Sequence, residues 1–437
     1  YRVEVMNGVC AAEFSGVKTV DVQELPTVTI NNPTIDICAG ATTTLSLSIG
    51  NVTSTSTWSI DYKENGTSGS YTTGTGTSET ITFGPYTSTT TIEIVGVTVT
   101  NGLGCSNTIS EKAVVTVTDN PTASITTVPD SLCEGDVLVF TASIDNVATG
   151  TKWELDYEID GTAGPTKKGT GSGTFTVNTG RTVSPSSVKV QLTEVLLDNA
   201  LGCNTVLNDS AEIKVSPTTV GGTLSPATST ICEGESATLT LSGETGAVQN
   251  WEYSTDNGAT WTVLSNTANA VTITNINVTT LYRVFVQSGT CAGAYSTIST
   301  VTVIETPSAT VTSNATVCPN DAAVFTLSVT GIAATDGWSA VYKRNGTTVG
   351  TPVTGTGSGD FNFSVVGSAY SGNPTLITVE LVSIENTTYS CLNSSLTSSA
   401  TARVTPNPTA SFTAVNNCED STVSFSNTSS IPEGIIT

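Results

Sequence analysis

From Thr44 to Ile49, hydroxyl and aliphatic side chains alternate, the period-two pattern of a strand with one face buried. Soon after, Trp58-Ser-Ile60-Asp-Tyr62 puts three large side chains on one face at the same period. Asn65-Gly66 then supplies a hairpin turn, because positive φ costs least at Asn and Gly. The arrangement returns as Trp153-Glu-Leu155-Asp-Tyr157 before Asp160-Gly161, and as Trp338-Ser-Ala340-Val-Tyr342 before Asn345-Gly346. Each copy runs on into Gly-Thr-Gly, at 74–76, 169–171 and 355–357, and then to Phe83, Phe175 or Phe361. A shorter variant carries Trp251 and Tyr253 ahead of an Asp256-Asn257-Gly258 turn and Trp261, followed by the strand pattern Tyr282-Arg-Val-Phe-Val286.

Residues 1–26 match residues 282–307 at 13 of 26 positions without a gap, with Cys10 on Cys291 and Pro26 on Pro307. The pattern predicts a tandem array. Residues 1–26 read as the C-terminal part of a truncated repeat, with strands at Tyr1–Val5 and near Lys18–Val22. Residues 27–120, 121–217 and 307–407 read as long repeats, 218–306 as the shorter subtype, and 408–437 as the opening of another. Prolines such as Pro26 mark the linkers, since proline removes a ladder donor.

Composition sharpens the fold class. Of 437 residues 37% are hydrophobic and 6% aromatic, enough for several small cores, and the bias toward Ser, Thr and β-branched residues favours strands. Fourteen Lys+Arg against 37 Asp+Glu leave a net charge of −23. This excludes the basic footprint that nucleic acid or an anionic membrane surface requires, and reads as a solvated acidic coat. No apolar run is long enough to cross a bilayer, so no direct membrane insertion is expected in this segment. Because both ends are read as cut through a repeat, nothing follows about export or anchoring.

The ten cysteines fall at alternating long and short gaps. Pairing Cys38 with Cys105, Cys133 with Cys203, Cys232 with Cys291 and Cys318 with Cys391 gives separations of 67, 70, 59 and 73, while the intervening spacers are 27–29 residues. The expectation is one disulfide inside each repeat, with Cys10 and Cys418 paired outside the segment. Each bond would contribute on the order of 4 kcal/mol by loop closure and place the chain in an oxidising, extracytoplasmic compartment. There is no CxxC and no histidine, which argues against reading the cysteines as a metal site or a redox pair.

Repeats of this length, with about seven short strands, a central Trp strand and a cysteine pair, predict an all-β tandem array of immunoglobulin-like β-sandwiches forming an elongated rod. The first cysteine precedes its strand and the second follows one, so the expected bond sits near one end of each sandwich. Other motifs carry little chemistry. Gly-Thr-Gly-Ser-Gly at 169–173 and 355–359 lacks the lysine of a phosphate loop and reads as a strand bend. Trp and Tyr at strand spacing read as core rather than a sugar platform. Asp256-Asn257-Gly258 and Asp160-Gly161 read as turns, since no EF-hand spacing accompanies them. Structural calcium at repeat junctions stays open for so acidic a chain, with no ligand set placed. Without histidine the Ser-His-Asp and Cys-His routes are closed, and Glu134, Asp136, Glu233 and Glu235 lie in exposed turns, so no enzyme activity and no cofactor are expected.

The run Trp251-x-Tyr-Ser-x-Asp-x-Gly-x-x-Trp261, with Tyr282-Arg-Val-x-Val before Cys291 and Ser299-Thr-Val-Thr-Val303, resembles the Ig-like and PKD-like repeats of giant Bacteroidetes cell-surface adhesins. Pro408-Thr-Ala-Ser-Phe412 with Val423–Ser429 is similar to the start of a PKD domain of that group. The SprB-like gliding motility adhesins fit best. The resemblance implies an extracellular filament attached to the outer-membrane surface, secreted by the type IX system and partnered by that secretion and gliding machinery. Such a filament would adhere to surface polysaccharide or abiotic surfaces. A spacer stalk bearing its head elsewhere and a self-assembling fibre are the competing readings. The resemblance also implies O-glycosylation at Asp-Ser/Thr motifs, matched at Ser131, Ser210 and Ser421.

Overall fold

The computed structural model describes residues 1–367, 369, 375–415, 419 and 421–431. The chain divides into two compact units, Tyr1–Pro217 and Thr218–Thr437. Each unit holds two immunoglobulin-like β-sandwiches in tandem, and no helix occurs among the described residues.

In the first sandwich a three-stranded sheet orders Thr27–Ile30, Ala41–Gly50 and Ser78–Tyr86. It faces a five-stranded sheet of Thr34–Cys38, Ser106–Thr118, Thr90–Val99, Thr57–Glu64 and Thr67–Thr75. The opening strand is split between the two sheets: Thr27–Ile30 pairs antiparallel with Ala41–Gly50, then Thr34–Cys38 crosses over and pairs parallel with the last strand. The other three sandwiches repeat this crossover, with Cys133 opposite Ser216, Cys232 opposite Ile304 and Val317 opposite Val404.

Alternation fills the cores as the sequence requires. Leu45, Leu47 and Ile49 of the first sandwich are buried with Trp58 and Ile60, and their neighbours on the other strand face point outward. Trp153, Leu155 and Tyr157 anchor the second core, Trp251 the third, and Trp338, Ala340 and Tyr342 the fourth. The hairpin dipeptides adopt the positive φ pair expected of them, with Asn65 at 46° and Gly66 at 88°, and two-residue connections follow at Asp160-Gly161 and Asn345-Gly346.

The Gly-Thr-Gly motif has a specific packing cause. The first glycine lies against the indole: a Cβ would come within 2.1 Å of Trp58 at Gly74, 2.2 Å of Trp153 at Gly169 and 2.4 Å of Trp338 at Gly355. The second glycine has positive φ, and its carbonyl accepts the indole N–H: Trp58 Nε1 to Gly76 at 2.9 Å, Trp153 to Gly171 at 2.9 Å and Trp338 to Gly357 at 3.1 Å. Two of the phenylalanines that follow pack on the indole, Phe175 on Trp153 at 4.9 Å and Phe361 on Trp338 at 4.8 Å, whereas Phe83 packs on Tyr62 at 5.0 Å. The third sandwich, which lacks the motif, sends Trp251 Nε1 to Ala268 O at 2.9 Å.

The flanking segments differ from expectation. Residues 1–26 form one short pair, Glu4–Val5 with Glu13–Phe14, and Lys18–Val22 is not a strand. Residues Phe412–Ala414 pair with Phe425–Asn427. All four of these short strands are exposed along their length, so no buried apolar position pins their register.

The keystone predicts mutational costs. Gly169→Ala should destabilise the second sandwich by about 1–3 kcal/mol through overpacking, and Trp153→Ala should cost about 3–5 kcal/mol. Denaturant unfolding measures both; a Gly169→Ala chain as stable as the parent would contradict this packing.

Candidate functional site: the cystine junctions

The turn after each first-position cysteine fixes that residue at a sandwich end. The third turn residue takes positive φ in the four complete repeats, 81° at Gly40, 90° at Gly135, 81° at Gly234 and 66° at Asn320, as a type II turn demands. Carboxylates close the turn in two repeats: Cys133 N donates to Asp136 Oδ2 at 2.8 Å and Cys232 N to Glu235 Oε2 at 3.0 Å. This is the local role of Asp136 and Glu235. The second-position cysteine lies in the hairpin between the last two strands, where its carbonyl accepts from a strand end: Val99 N to Cys105 O at 2.9 Å, Leu197 N to Cys203 O at 2.8 Å.

Strand direction then decides the pairing. Thr34–Cys38 runs parallel to Ser106–Thr118, with Cys38 opposite Thr118, whereas Cys105 immediately precedes Ser106. The two cysteines therefore sit at opposite ends of a 13-residue strand, about 40 Å apart at ~3.3 Å per residue. A disulfide needs Cα atoms within about 7 Å. The expected bond within each repeat is thus excluded by the fold.

The structure instead joins consecutive sandwiches. Cys38 bonds Cys203 with Cα atoms 5.5 Å apart and a sequence separation of 165, and Cys232 bonds Cys391 at 5.5 Å with a separation of 159. This corrects the pairings 38–105, 133–203, 232–291 and 318–391. Each observed bond runs from the exit end of one sandwich to the hairpin at the leading end of the next. Cys133 and Cys291 are also disulfide-bonded, while Cys105 and Cys318, expected in disulfides, are free, as is Cys10. The expectation for Cys418 lies outside the described residues.

Polar contacts reinforce the junctions. Cys38 packs against the core of the second sandwich, and Asn120 of the linker donates to Ala39 O at 3.1 Å. Asn107 and Asn393, each two residues past a second-position cysteine, hold the linker prolines, donating to Pro26 O and Pro307 O at 2.9 Å. A cleft of about 550 Å³ opens beside Asp119, Asn146 and Asn199, and one of about 410 Å³ beside Glu305, Asp336 and Asn386. In the second, fully buried Asn386 donates to Asp336 Oδ2 at 3.1 Å. No cluster of three or more acidic or cysteine side chains suited to a metal occurs among the described residues.

The turn at Asp256 satisfies its own carboxylate. Thr260 donates from its hydroxyl at 2.6 Å and its amide at 2.9 Å, and Ser254 from its hydroxyl at 2.7 Å, holding the acid down to about 2. One cluster escaped sequence reading. Arg283 stacks over Trp261 at 3.9 Å and Tyr295 at 3.8 Å and donates from Nε to Glu252 Oε2 at 2.8 Å. Its residues belong to three separate strands and a loop, so spacing gave no signal. Of the proposed glycosylation sites, Ser210 and Ser421 are exposed and Ser131 is half-buried.

Residues 220–305 match a family model described as a domain of unknown function (DUF8696). No curated protein matches the chain. Among solved structures it is similar to one described as "Ca2+-stabilized adhesin helps an Antarctic bacterium reach out and bind ice", at 14% identity over 88% of this chain and 100% of that one, with a TM-score of 0.36. It is also similar to the ICAM-5 D1–D4 ectodomain fragment, at 10% identity over 93% and 99%, TM-score 0.34. A tetra-tandem repeat from the extending region of a large adhesion protein aligns at 15% identity over 87% and 99%, TM-score 0.29. At these identities the likenesses carry no statement about function.

Non-reducing peptide mapping should recover Cys38–Cys203 and Cys232–Cys391 peptides; a Cys38–Cys105 or Cys232–Cys291 peptide would contradict the junction geometry. The Asp256 carboxylate, depressed when folded, lends stability that is fully present above the ordinary carboxylate range and is lost as pH falls through about 2. Carboxyl NMR titration should find that Thr260→Ala moves its midpoint upward, and an unchanged midpoint would remove the hydrogen-bond cause.

Proposed function

We propose that this chain is a load-bearing stretch of an extracellular adhesive array, whose sandwiches are locked in tandem by disulfides that cross their junctions. The observation that carries the reading is the covalent route through each unit. Tension arriving at Thr27 can pass from Cys38 directly to Cys203, leaving residues 39–202 out of the load path, and Cys232–Cys391 does the same in the second unit. Such staples suit a segment whose work is to transmit force between a surface and a cell, in a compartment where disulfides persist.

The acidic coat and the resemblance of the repeats to giant Bacteroidetes adhesins support the finer reading. In it the array stands on the outer-membrane surface, is exported by the type IX system, and serves attachment to surface polysaccharide or abiotic surfaces in gliding cells. Two of the similar structures, described as an adhesin and as a repeat of a large adhesion protein, are in keeping with that reading.

Single-molecule stretching tests the load path. At roughly 3.3–3.6 Å per extended residue, each staple should withhold on the order of 500 Å of chain, released only when reductant is added. Equal extension with and without reductant would overturn the load-bearing role. Beads coated with the chain should attach to glass or agarose above albumin-coated beads; a bare failure to attach would favour a spacer stalk.

A further inference from the structure

We propose that the first sandwich binds the guanidinium group of an arginine on a partner polypeptide, in a cleft walled by Tyr62 and Tyr86 with Glu64 as its counter-charge. The inference rests neither on the load path nor on what the array adheres to.

The cleft opens beside the Asn65-Gly66 turn, at the end of the sandwich that holds Cys38, where Gly40 N donates to Tyr86 O at 2.7 Å. Its volume is about 430 Å³, in the range of small-ligand sites, and its lining includes Tyr62, Glu64, Asn65, Gly69, Tyr86 and Thr90. The walls are fixed before any ligand arrives. Tyr62 is seated over Gly69, where a Cβ would come within 2.5 Å of its ring, and meets the Phe83 ring edge-on at 5.0 Å. Tyr86, 8% exposed, donates its hydroxyl to Glu64 Oε2 at 2.9 Å. Burial first, and then the Glu64 carboxylate, push that hydroxyl well above its usual range, so it remains a donor. Asn65 is held at the rim by Thr91 N, which donates to its Oδ1 at 2.8 Å.

Charge selects the occupant. Glu64 is half-buried, its carboxylate has one hydrogen bond, the neutral one from Tyr86, and no ion pair among the described residues includes it. A half-buried carboxylate without a counter-charge, set between aromatic rings, favours a flat and weakly hydrated cation over a strongly hydrated ammonium.

The second sandwich shows what such a mouth accepts. Asp160 holds the place of Asn65, receiving Lys189 N at 2.8 Å as Asn65 receives Thr91 N. Val183 holds the place of Tyr86, its carbonyl accepting from Gly135 N as that of Tyr86 accepts from Gly40 N. There the mouth is filled from within: Arg181 donates from Nη1 to Ile159 O at 2.8 Å and lies 3.8 Å from Asp160 Oδ2, and only about 50 Å³ stays open. Ile159, just before Asp160, stands where Glu64 stands, and Gly84, two residues before Tyr86, stands where Arg181 stands two before Val183. The first sandwich therefore lacks the internal arginine and carries a carboxylate in the mouth that an arginine fills in its neighbour.

The test uses the full chain with its disulfides intact and an acetylated, amidated Gly-Arg-Gly tripeptide as probe. Peptides with citrulline or lysine in place of the arginine serve as comparisons, and binding is read by titration with saturation-transfer difference NMR. The arginine peptide should bind saturably, and about tenfold or more tighter than the citrulline peptide, which keeps the shape and loses the charge. Glu64→Gln should weaken the arginine peptide by a similar factor. Equal binding of the arginine and citrulline peptides to the unaltered chain would overturn the proposal, as would no saturable binding of the arginine peptide. So would a lysine peptide bound as tightly as the arginine one, or a Glu64→Gln chain that binds arginine as the parent does.

Discussion

The parallel pairing of the split first strand with the last strand is the constraint on which the rest depends. A sandwich strand that began antiparallel throughout would leave its cysteine near the hairpin that carries the second one. Crossing over at Pro33 and running parallel to Ser106–Thr118 instead carries Cys38 to the exit end of the first sandwich. Once the two cysteines stand at opposite ends, neither can close its own domain, and each is presented to the neighbour in chain order. The crossover recurs in all four sandwiches, so a rule of local strand pairing becomes a rule of covalent connectivity.

The stability of the individual sandwiches rests on a separate device. Each long repeat seats one indole over a glycine and caps its N–H with the carbonyl two residues on, and in the second and fourth sandwiches a phenylalanine packs on the indole. A buried Trp leaves its N–H costly unless paired, and the glycine pair answers both the steric and the polar demand. The cystines then add restraint between domains that are already stable within themselves. A cystine that closes a loop of 165 residues acts mainly on the relative freedom of two folded sandwiches, and less on the folding of either.

Much of this was legible in the residues. Period-two alternation located the strands around Thr44–Ile49 and Trp58–Tyr62, the Asn-Gly and Asp-Gly pairs located the turns, and the all-β sandwich array followed. The cysteine pairing was not, because gap arithmetic treats the chain as a line. Cys38–Cys105 and Cys38–Cys203 are both compatible with the spacing, and strand direction alone distinguishes them. The signal was present in the observation that the first cysteine borders the opening strand and the second lies in the last hairpin, positions that an immunoglobulin-like topology sends to opposite ends. The Arg283 cluster was beyond reach for another reason: Glu252, Trp261, Arg283 and Tyr295 become neighbours only through sheet pairing.

The distance between Cys38 and Cys105 in one sandwich decides the account most directly. In a chain carrying Cys203→Ser to release Cys38, with Cys10, Cys318 and Cys418 replaced by serine, spin labels on the two thiols can be measured by pulsed electron paramagnetic resonance. The fold predicts a separation of about 40 Å. A distance below roughly 15 Å, within reach of a bond after allowing for the label arms, would contradict it and return the disulfide to the interior of the repeat.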